Sequence, residues 1–239
     1  MKTTDAILFY IGNHPQGACS GEVITFVKEN TSSFGKSARS ILGRLVREGR
    51  IIKKGTLYYP PDSFKPSFVP FLDDSLKELY SSVKGAMPFA NICIWHTDSL
   101  VPLMHDVPNF RMTLFGVESA SVPFLADSLE NMTDSLVLRE SDNDIILRLA
   151  SGRNLVVVGP MVSQAPTMDI AGVTVPSLEK ILVDILCDNA LRAMTGSQAY
   201  EIYSAAFDRF NVEKKKLLRY AGRRNRKQEV EKILKEIGS

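Results

Sequence analysis

A basic amphipathic segment, Ser33–Pro60, limits what the N-terminal part of this chain can form. Its apolar residues recur at i, i+3, i+4, i+7 and i+8, and they are Ala38, Ile41, Leu42, Leu45 and Val46. This spacing predicts a helix with one apolar face. The remaining face carries arginines and small polar residues, with no acid before Glu48, and Gly49 is a natural helix end.

Two short basic stretches follow this helix. Arg50–Lys53 and Thr56–Pro60 alternate around Lys54-Gly55, a pair that predicts a two-residue hairpin turn with positive φ at the glycine. Two further helices are predicted upstream, one over Thr4–Gly12 and one from the N-cap Ser20. Three helices and a two-stranded wing predict a winged helix-turn-helix DNA-binding domain over residues 1–60.

The recognition helix of such a domain enters the DNA major groove, where its N-terminal turn reaches base edges. The residues expected to meet bases are Lys36, Ser37, Arg39 and Ser40. Those expected to meet phosphates are Arg44, Arg47, Lys53 and Lys54. Phosphate contacts fix the position of the protein, whereas base contacts carry sequence information. The alternative is an ordinary surface helix and hairpin with no nucleic-acid ligand.

The net charge of +2 hides a strong segregation of charge along the chain. Residues 1–59 carry nine Lys/Arg against four Asp/Glu, residues 60–212 carry ten against nineteen, and residues 213–239 carry ten against four. An acidic body with two basic ends is expected when the ends meet nucleic acid. A basic tail that packs on the acidic body is the alternative explanation of the same pattern.

Composition favours a cytoplasmic protein. Apolar residues make up 44% of the chain, enough for a packed core. No apolar run approaches the ~18 residues of a membrane span, and the N-terminus lacks the features of a signal peptide. Cys19, Cys93 and Cys187 are odd in number and widely spaced. We therefore expect reduced, buried thiols, with neither a disulfide framework nor a zinc site.

A proline-rich stretch, residues 61–72, is expected to be a linker. Residues 73–239 then alternate between helical patterns, including a long helix over Ser177–Asn189, and strand-like patterns. The strand-like stretches are residues 90–96, 110–117, 135–139, 145–149, 155–159 and 170–176. This alternation predicts an α/β (α+β) domain built on a mixed sheet with covered faces.

The end of this domain, about residues 196–239, is predicted to be helical and strongly basic. Asn211 is expected to cap one helix, and Asn225 with Gln228 a second. Apolar residues are interleaved with the cations, so each helix is expected to bury one side and expose the other. The cations are Lys214, Lys215, Arg219, Arg223, Arg224, Arg226 and Lys227. This surface is expected to contact either a protein partner or nucleic acid.

Catalytic motifs are incomplete throughout the chain. Gly35-Lys36-Ser37 lacks the upstream glycine of a phosphate-binding loop, and His96, Asp98, His105 and Asp106 lack metal-ligand spacing. We therefore predict no catalytic residue, no metal and no cofactor. The alternative is a metal-dependent nuclease or nucleotidyltransferase targeted by the winged helix. Its carboxylates would be Asp98, Glu118 and Glu179, beside Lys180.

Two stretches of the chain resemble the antitoxins of abortive-infection E (AbiE) systems, which are type IV toxin–antitoxin systems. They are the junction Val175–Asp184 and the ending Lys216–Arg224, which follow the predicted winged helix and α/β body. The junction departs from the Pro-Glu-Arg-Thr-Leu-x-Asp-like stretch of such antitoxins. Ser177-Leu178 separates Pro176 from Glu179, and a lysine replaces the usual arginine.

The resemblance implies a transcriptional repressor that binds inverted repeats at its own promoter, as a homodimer or as paired monomers. It implies that the C-terminal domain, nucleotidyltransferase-like but non-catalytic, neutralises a nucleotidyltransferase-like toxin encoded beside it. It also implies that Glu179, Lys180 and Asp184 are structural and tie their helix to the sheet and the basic tail.

Overall fold

In a computed structural model the chain is a mixed α/β protein that divides into two compact units. The structure describes residues 2–31, 35–61, 65–106, 111–142, 154–188 and 198–238, together with residues 145, 146, 148 and 191. The first unit comprises residues 1–67 and 208–211, and the second comprises residues 68–207 and 212–239. The α/β class predicted from the sequence is confirmed. In these described ranges no helix has both the length and the apolar character needed to cross a bilayer.

The described part of the first unit contains three helices and three short strands. In chain order they are α1 (Thr3–Gly12), β1 (Ala18–Cys19), α2 (Ser20–Asn30), α3 (Gly35–Arg47), β2 (Ile52–Lys54) and β3 (Leu57–Tyr59). The apolar sides of the helices meet in one core, where Ile7, Val27, Leu42 and Leu45 are buried. The side of α3 predicted to be apolar is therefore the side that packs inward, where removing apolar surface from water stabilises the fold.

The three strands form an antiparallel sheet in the order β1-β3-β2. Lys54 pairs with Leu57, so Gly55 and Thr56 form the turn, one position later than predicted. Gly55 has a φ of +61°, as such a turn requires.

The predicted N-cap of α2, Ser20, is wrong by one residue. The thiol sulfur of Cys19 accepts from the Glu22 amide at 3.5 Å, and the Glu22 carboxylate accepts from the Cys19 amide at 2.7 Å. Cys19 is therefore the N-cap, because this reciprocal pair satisfies two amides at once.

The second unit has an open sheet, a separate hairpin and several helices. The strands are β4 (Cys93–His96), β5 (Arg111–Val117), β6 (Leu136–Arg139), β7 (Asn154–Pro160), β8 (Thr167–Ile170) and β9 (Val173–Pro176). The helices are α4 (Asp74–Ala86), α5 (Val122–Leu129), α6 (Leu178–Cys187), α7 (Ala199–Arg209), α8 (Lys214–Arg223) and α9 (Lys227–Glu236); the last two residues of α7 are counted in the first unit. Two 3₁₀ segments, Thr97–Leu103 and Ser119–Ser121, precede β5 and α5 respectively.

The open sheet has the strand order β4-β5-β7-β6, with β5, β6 and β7 parallel and β4 antiparallel. One face, which includes Ile94, Phe115 and Val158, packs in a core with residues of α4, α5 and β9. Side chains of the other face, including Trp95 and Leu114, line a cavity together with residues of α6. Elements thus lie against both faces, as a largely parallel sheet requires.

One predicted strand is wrong and a second is confirmed in part. Residues 145, 146 and 148, in the predicted strand over residues 145–149, are helical, because the amides of Ile145 and Ile146 both donate to the Asp142 carbonyl at 3.0 Å. The predicted strand over residues 170–176 contains β9 (Val173–Pro176), but it begins with the last residue of β8 and the turn of the β8–β9 hairpin. Its turn, Ala171-Gly172, has positive φ at both residues.

The two predicted caps in the basic tail are also wrong. Helix α8 begins after Glu213, and the Asn211 amide donates to the Pro66 carbonyl within the first unit. Asn225 adopts a φ of +57°, a conformation that asparagine tolerates, and forms the turn between α8 and α9 instead of capping α9.

Candidate nucleic-acid interface and buried charge cluster

Helix α3 presents cations on the side opposite its buried residues. Arg39, Ser40, Arg44 and Arg47 are all exposed. The side chains of Lys36 and Ser37, predicted to meet bases, lie outside the described residues. The exposed part of α3 therefore offers three guanidinium groups and a hydroxyl to a ligand.

The three arginines of α3 differ in their surroundings. Arg44 lies 3.5 Å from the Glu48 carboxylate and 3.4 Å from the Thr4 hydroxyl. Across the described residues, Arg39 and Arg47 have neither an ion pair nor a hydrogen-bond partner. An exposed i, i+4 pair is worth only a few tenths of a kcal/mol. Arg44 therefore remains available to a phosphate, although less freely than the other two.

The hairpin after α3 carries the two predicted phosphate-binding lysines. Both are exposed, and each ammonium lies over a ring of the neighbouring strand. The distances to the ring centroids are 5.7 Å from Lys53 to Tyr58 and 5.6 Å from Lys54 to Tyr59. Such contacts orient a lysine without neutralising its charge.

In the second unit, the basic tail separates into paired and unpaired cations. On α9, Lys227 lies 3.8 Å from Glu231 and Lys232 lies 3.9 Å from Glu236, while Arg226 lies 3.3 Å from Glu229. Helix α8 contains no acid. Its exposed cations Lys214, Lys215 and Arg219 have no acidic partner in the part of the chain that is described.

Two further tail arginines, predicted to be surface contacts, are engaged within the second unit. Arg223 donates to the Ser163 carbonyl at 3.1 Å and to Gln164 Oε1 at 2.6 Å. Arg224 is mostly buried, with 16% of its side chain exposed, and pairs with Asp188. The prediction that Arg224 is a surface cation is therefore wrong.

Helix α6 carries a charge cluster that faces the sheet. Lys180 and Asp184, one turn apart, form a buried ion pair, and the Tyr220 hydroxyl of α8 donates to Asp184 at 2.8 Å. Burial acts to lower the pKa of Lys180, but the Asp184 carboxylate outweighs it and the pKa is raised. Lys180 therefore stays charged in the core. Removing Asp184 would leave this buried charge without a partner, which is strongly unfavourable.

Asp188 and Glu140 extend this cluster to the end of β6. Burial, reinforced by the charges of Asp184 and Glu140, raises the pKa of Asp188 to about 7. Burial also raises the pKa of Glu140, whose carboxyl group lies within hydrogen-bonding reach of Asp188. A Cβ at Gly159 would collide with the Glu140 carboxylate. Glycine at this position therefore makes room for the close approach of Glu140 to β7.

The cluster surrounds a small cavity at the carboxyl ends of the parallel strands. The cavity has a volume of about 40 Å³, which is room for two or three waters. Its charged lining consists of three carboxylates and two cations, which are Glu140, Lys180, Asp184, Asp188 and Arg224. Burial also raises the pKa of Cys93, on the cavity wall, to about 12, so this thiol stays protonated and unreactive.

Glu179 joins α6 to the start of α8. Its carboxylate accepts from the Ser177 hydroxyl at 2.5 Å and from the Glu213 amide at 3.1 Å, and it lies 3.0 Å from the Lys216 ammonium. Burial acts to raise the pKa of Glu179, but these hydrogen bonds and the Lys216 charge lower it overall. Glu179 and Asp184 thus tie α6 to the basic tail, as the structural role expected for the trio requires.

The carboxylates considered for an enzyme are not brought together. Asp98 lies 3.4 Å from both His96 and Arg111, at the start of β5. Glu118 follows the last residue of β5 and accepts from Asn91. Seven extended residues separate the two sites by about 20 Å, so Asp98 and Glu118 cannot hold the same ion. Across the described residues, no group of three His, Cys, Asp or Glu side chains is arranged to hold a metal.

His105 and Asp106 are exposed, and the Asp106 amide and carbonyl bond the Gln198 side chain. His96 caps the 3₁₀ segment by accepting from the Asp98 amide. Burial lowers the pKa of His96 despite the Asp98 charge. These four residues therefore do not form one cluster.

The fold and its charged surfaces define a mixed α/β protein with basic surfaces in both units. Residues 38–239 match the model of DUF6577, a family of unknown function. Because the match covers well over half of the chain, the protein belongs to this family. Comparisons with curated proteins and with solved structures gave no significant match.

Proposed function

We propose that this protein is a DNA-binding transcriptional repressor that acts at its own promoter. The observation that carries the proposal is the orientation of α3. Its apolar side, with Leu42 and Leu45, is buried, and its opposite side exposes Arg39, Arg44 and Arg47. The exposed side chains in the described part of α3 are cationic or hydroxylic, and such a surface is suited to a polyanion.

The element order of the first unit supports a winged helix-turn-helix assignment. Two helices and a short strand precede α3, and a hairpin with exposed Lys53 and Lys54 follows it. In this assignment α3 is the recognition helix and the β2–β3 hairpin is the wing. Arg39 reaches base edges, and Arg47, Lys53 and Lys54 bind phosphates.

The second half of the proposal concerns the body and its basic tail. The resemblance of Val175–Asp184 and Lys216–Arg224 to AbiE antitoxins supports an antitoxin role, in which the C-terminal domain neutralises a toxin encoded beside it. The exposed cations of α8 are the surface best suited to an anionic ligand, because Lys227 and Lys232 of α9 are already paired with acids.

The deciding experiment is a titration of the full chain with its own upstream promoter and with an unrelated duplex, at about 50 and about 200 mM salt. Four neutralised phosphates give an affinity loss of roughly 100-fold over this range. Tight, salt-sensitive binding that prefers the promoter supports the proposal. Equal weak binding to both duplexes rejects a sequence-specific repressor.

A paired set of variants determines what the α8 cations contact. The double variant K215A/R219A removes unpaired cations, and K227A/K232A removes the same charge from ion pairs on α9. A contact with DNA predicts a shallower salt dependence for the first variant alone. A contact with a protein partner predicts unchanged promoter binding and weaker binding of the neighbouring gene product.

A further inference from the structure

The charged groups around the cavity of the second unit divide by depth. Lys180 and Asp184 form a buried ion pair at its inner end. Glu140, Asp188 and Arg224 are only partly buried and form its mouth. Arg224 pairs with Asp188. The mouth therefore has one more carboxyl group than it has cations, and the additional one belongs to Glu140.

The two carboxyl groups at the mouth, those of Glu140 and Asp188, lie within hydrogen-bonding reach of each other. Across the described residues, Glu140 has no ion-pair partner. A carboxylate accepts hydrogen bonds but cannot donate one, so the pair is hydrogen-bonded only while one member keeps its proton. When both members are ionised, the two like charges repel each other.

The backbone beneath Glu140 makes room for its carboxyl group. Gly116 of β5 and Gly159 of β7 are paired in register, and both line the cavity. A Cβ at Gly159 would collide with the Glu140 carboxylate. The Glu140 carboxyl group thus occupies the space that a side chain on β7 would fill, and its hydrogen bond with Asp188 holds it there.

The surroundings of the pair set the pH at which its proton is lost. Burial, with the charges of Asp184 and Glu140, raises the pKa of Asp188 to about 7, while Arg224 and Lys180 act against this shift. Burial also raises the pKa of both thiols and of the tyrosine near the pair, so these groups stay protonated at neutral pH. Besides Glu140, the ionisable groups that face Asp188 or line the cavity are Lys180, Asp184 and Cys187 of α6, Cys93 of β4, Tyr220 of α8 and Arg224 at the end of α8.

We propose that the Glu140–Asp188 pair is a pH-operated gate at the mouth of the cavity. With one shared proton the two carboxyl groups are hydrogen-bonded and the mouth is closed. When this proton passes to the solvent, repulsion between the two carboxylates moves Glu140 outward and water enters the cavity. Glu140 is the group that moves, because Asp188 stays paired with Arg224. The gate lies within the second unit and does not depend on DNA or partner binding.

Trp95 reports the state of the gate, because it lines the same cavity. It is the only tryptophan of the chain, and 4% of it is exposed. Acrylamide is an uncharged quencher, so its access to the indole measures opening of the cavity and not the change of charge beside the ring. The experiment measures the Stern–Volmer constant of the purified full chain from about pH 5 to about pH 8.5, with circular dichroism over the same range.

In the wild type, the quenching constant should rise with pH, with its midpoint near the pKa of Asp188, about 7. Glu140→Gln and Asp188→Asn should give flat profiles, because an amide donates to the neighbouring carboxylate at every pH. Glu130→Gln, which removes a carboxylate at an exposed position, should follow the wild type. Glu140→Gln also separates the gate from the titration of Asp188 alone. In this variant the free energy of unfolding should still fall with pH while the quenching constant stays level.

Three results would overturn the inference. A quenching constant that is independent of pH in the wild type shows that the mouth does not open. An equal rise in the wild type and in Glu140→Gln shows that Glu140 is not the group that moves. A rise that coincides with loss of the helical circular dichroism signal is unfolding and not opening. None of these results affects the proposed function, because promoter binding is measured separately.

Discussion

Tyr220 of α8 donates its hydroxyl hydrogen to Asp184 of α6 at 2.8 Å, while Asp184 also holds the buried Lys180 ammonium. One carboxylate therefore joins the helix on the sheet to the first helix of the basic tail. Glu179 repeats this link one turn earlier through Lys216. Lys216 and Arg224 are thus structural, whereas Lys214, Lys215 and Arg219 of α8 have no acidic partner among the described residues.

Replacing Lys180 by alanine is expected to destabilise the second unit by about 3–5 kcal/mol, because it leaves Asp184 buried without its cation. Trp95, the only tryptophan of the chain, lines the same cavity, so its fluorescence reports unfolding of this unit. Lys232→Ala, on the exposed side of α9, is the control. Promoter affinity should not change, and an unaltered melting temperature for Lys180→Ala would contradict the structural role.

The raised pKa of Asp188 predicts a pH dependence of stability. Because the folded state keeps a proton up to about pH 7 that the unfolded state loses near pH 4, this group lowers the free energy of unfolding as pH rises between those values. The slope is about 1.4 kcal/mol per pH unit, and the contribution is constant above pH 7. Glu179, with its lowered pKa, acts in the opposite direction at more acidic pH.

Urea denaturation from pH 4.5 to pH 8 isolates the Asp188 contribution by comparing variants. In Asp188→Asn, the free energy of unfolding should no longer decrease between pH 4.5 and pH 7. In Glu140→Gln this decrease should be smaller than in the wild type but still present, because the Glu140 charge contributes less than burial to the raised pKa of Asp188. Glu130→Gln, at an exposed position, should match the wild type. Parallel curves for the wild type and Asp188→Asn would show that Asp188 does not hold a proton in the folded state between pH 4.5 and pH 7.

The sequence predicted the helices and the apolar side of α3 well, because these depend on local periodicity. It failed where tertiary contacts decide the outcome. Ile145 and Ile146 belong to a strand-like sequence pattern, but their amides donate to the Asp142 carbonyl and form a helical turn. Asn225 has a capping sequence, yet it serves as a left-handed turn between α8 and α9.

The resemblance implied a structural role for Lys180 and Asp184, but Asp188, Glu140 and the burial of Arg224 were missed for a related reason. Lys180, Asp184 and Asp188 recur every four residues on an otherwise apolar helix, which is a readable sign of a buried polar stripe. The residues around Glu140 in the sequence do not identify it as a neighbour of these three. Glu140 is brought to them by the pairing of β6 with β7, which places it beside Gly159. Arg224 was assigned to the surface since its partner, Asp188, lies 36 positions away.

Gly17 is expected to tolerate no side chain. Its φ is +97°, and a Cβ there would lie 2.7 Å from the ring of Tyr59 in β3. Gly17→Ala should cost about 1–3 kcal/mol from backbone strain alone. Gly55→Ala is the control, because Gly55 also has positive φ but open space around it. Circular dichroism should show a lower melting transition for Gly17→Ala than for Gly55→Ala, with the Trp95 transition unchanged in both.

The last prediction separates the roles of the cations in the proposed DNA interface. Arg39→Ala should narrow the difference in affinity between promoter and unrelated duplex, because a base contact worth about 1–3 kcal/mol is lost. Lys53→Ala should weaken both duplexes equally and make the salt dependence shallower by about one phosphate. Arg44→Ala should have a smaller effect than Arg47→Ala, because Arg44 is already shared with Glu48. Identical behaviour of Arg39→Ala and Lys53→Ala in competition binding would reject the assignment of α3 as the recognition helix.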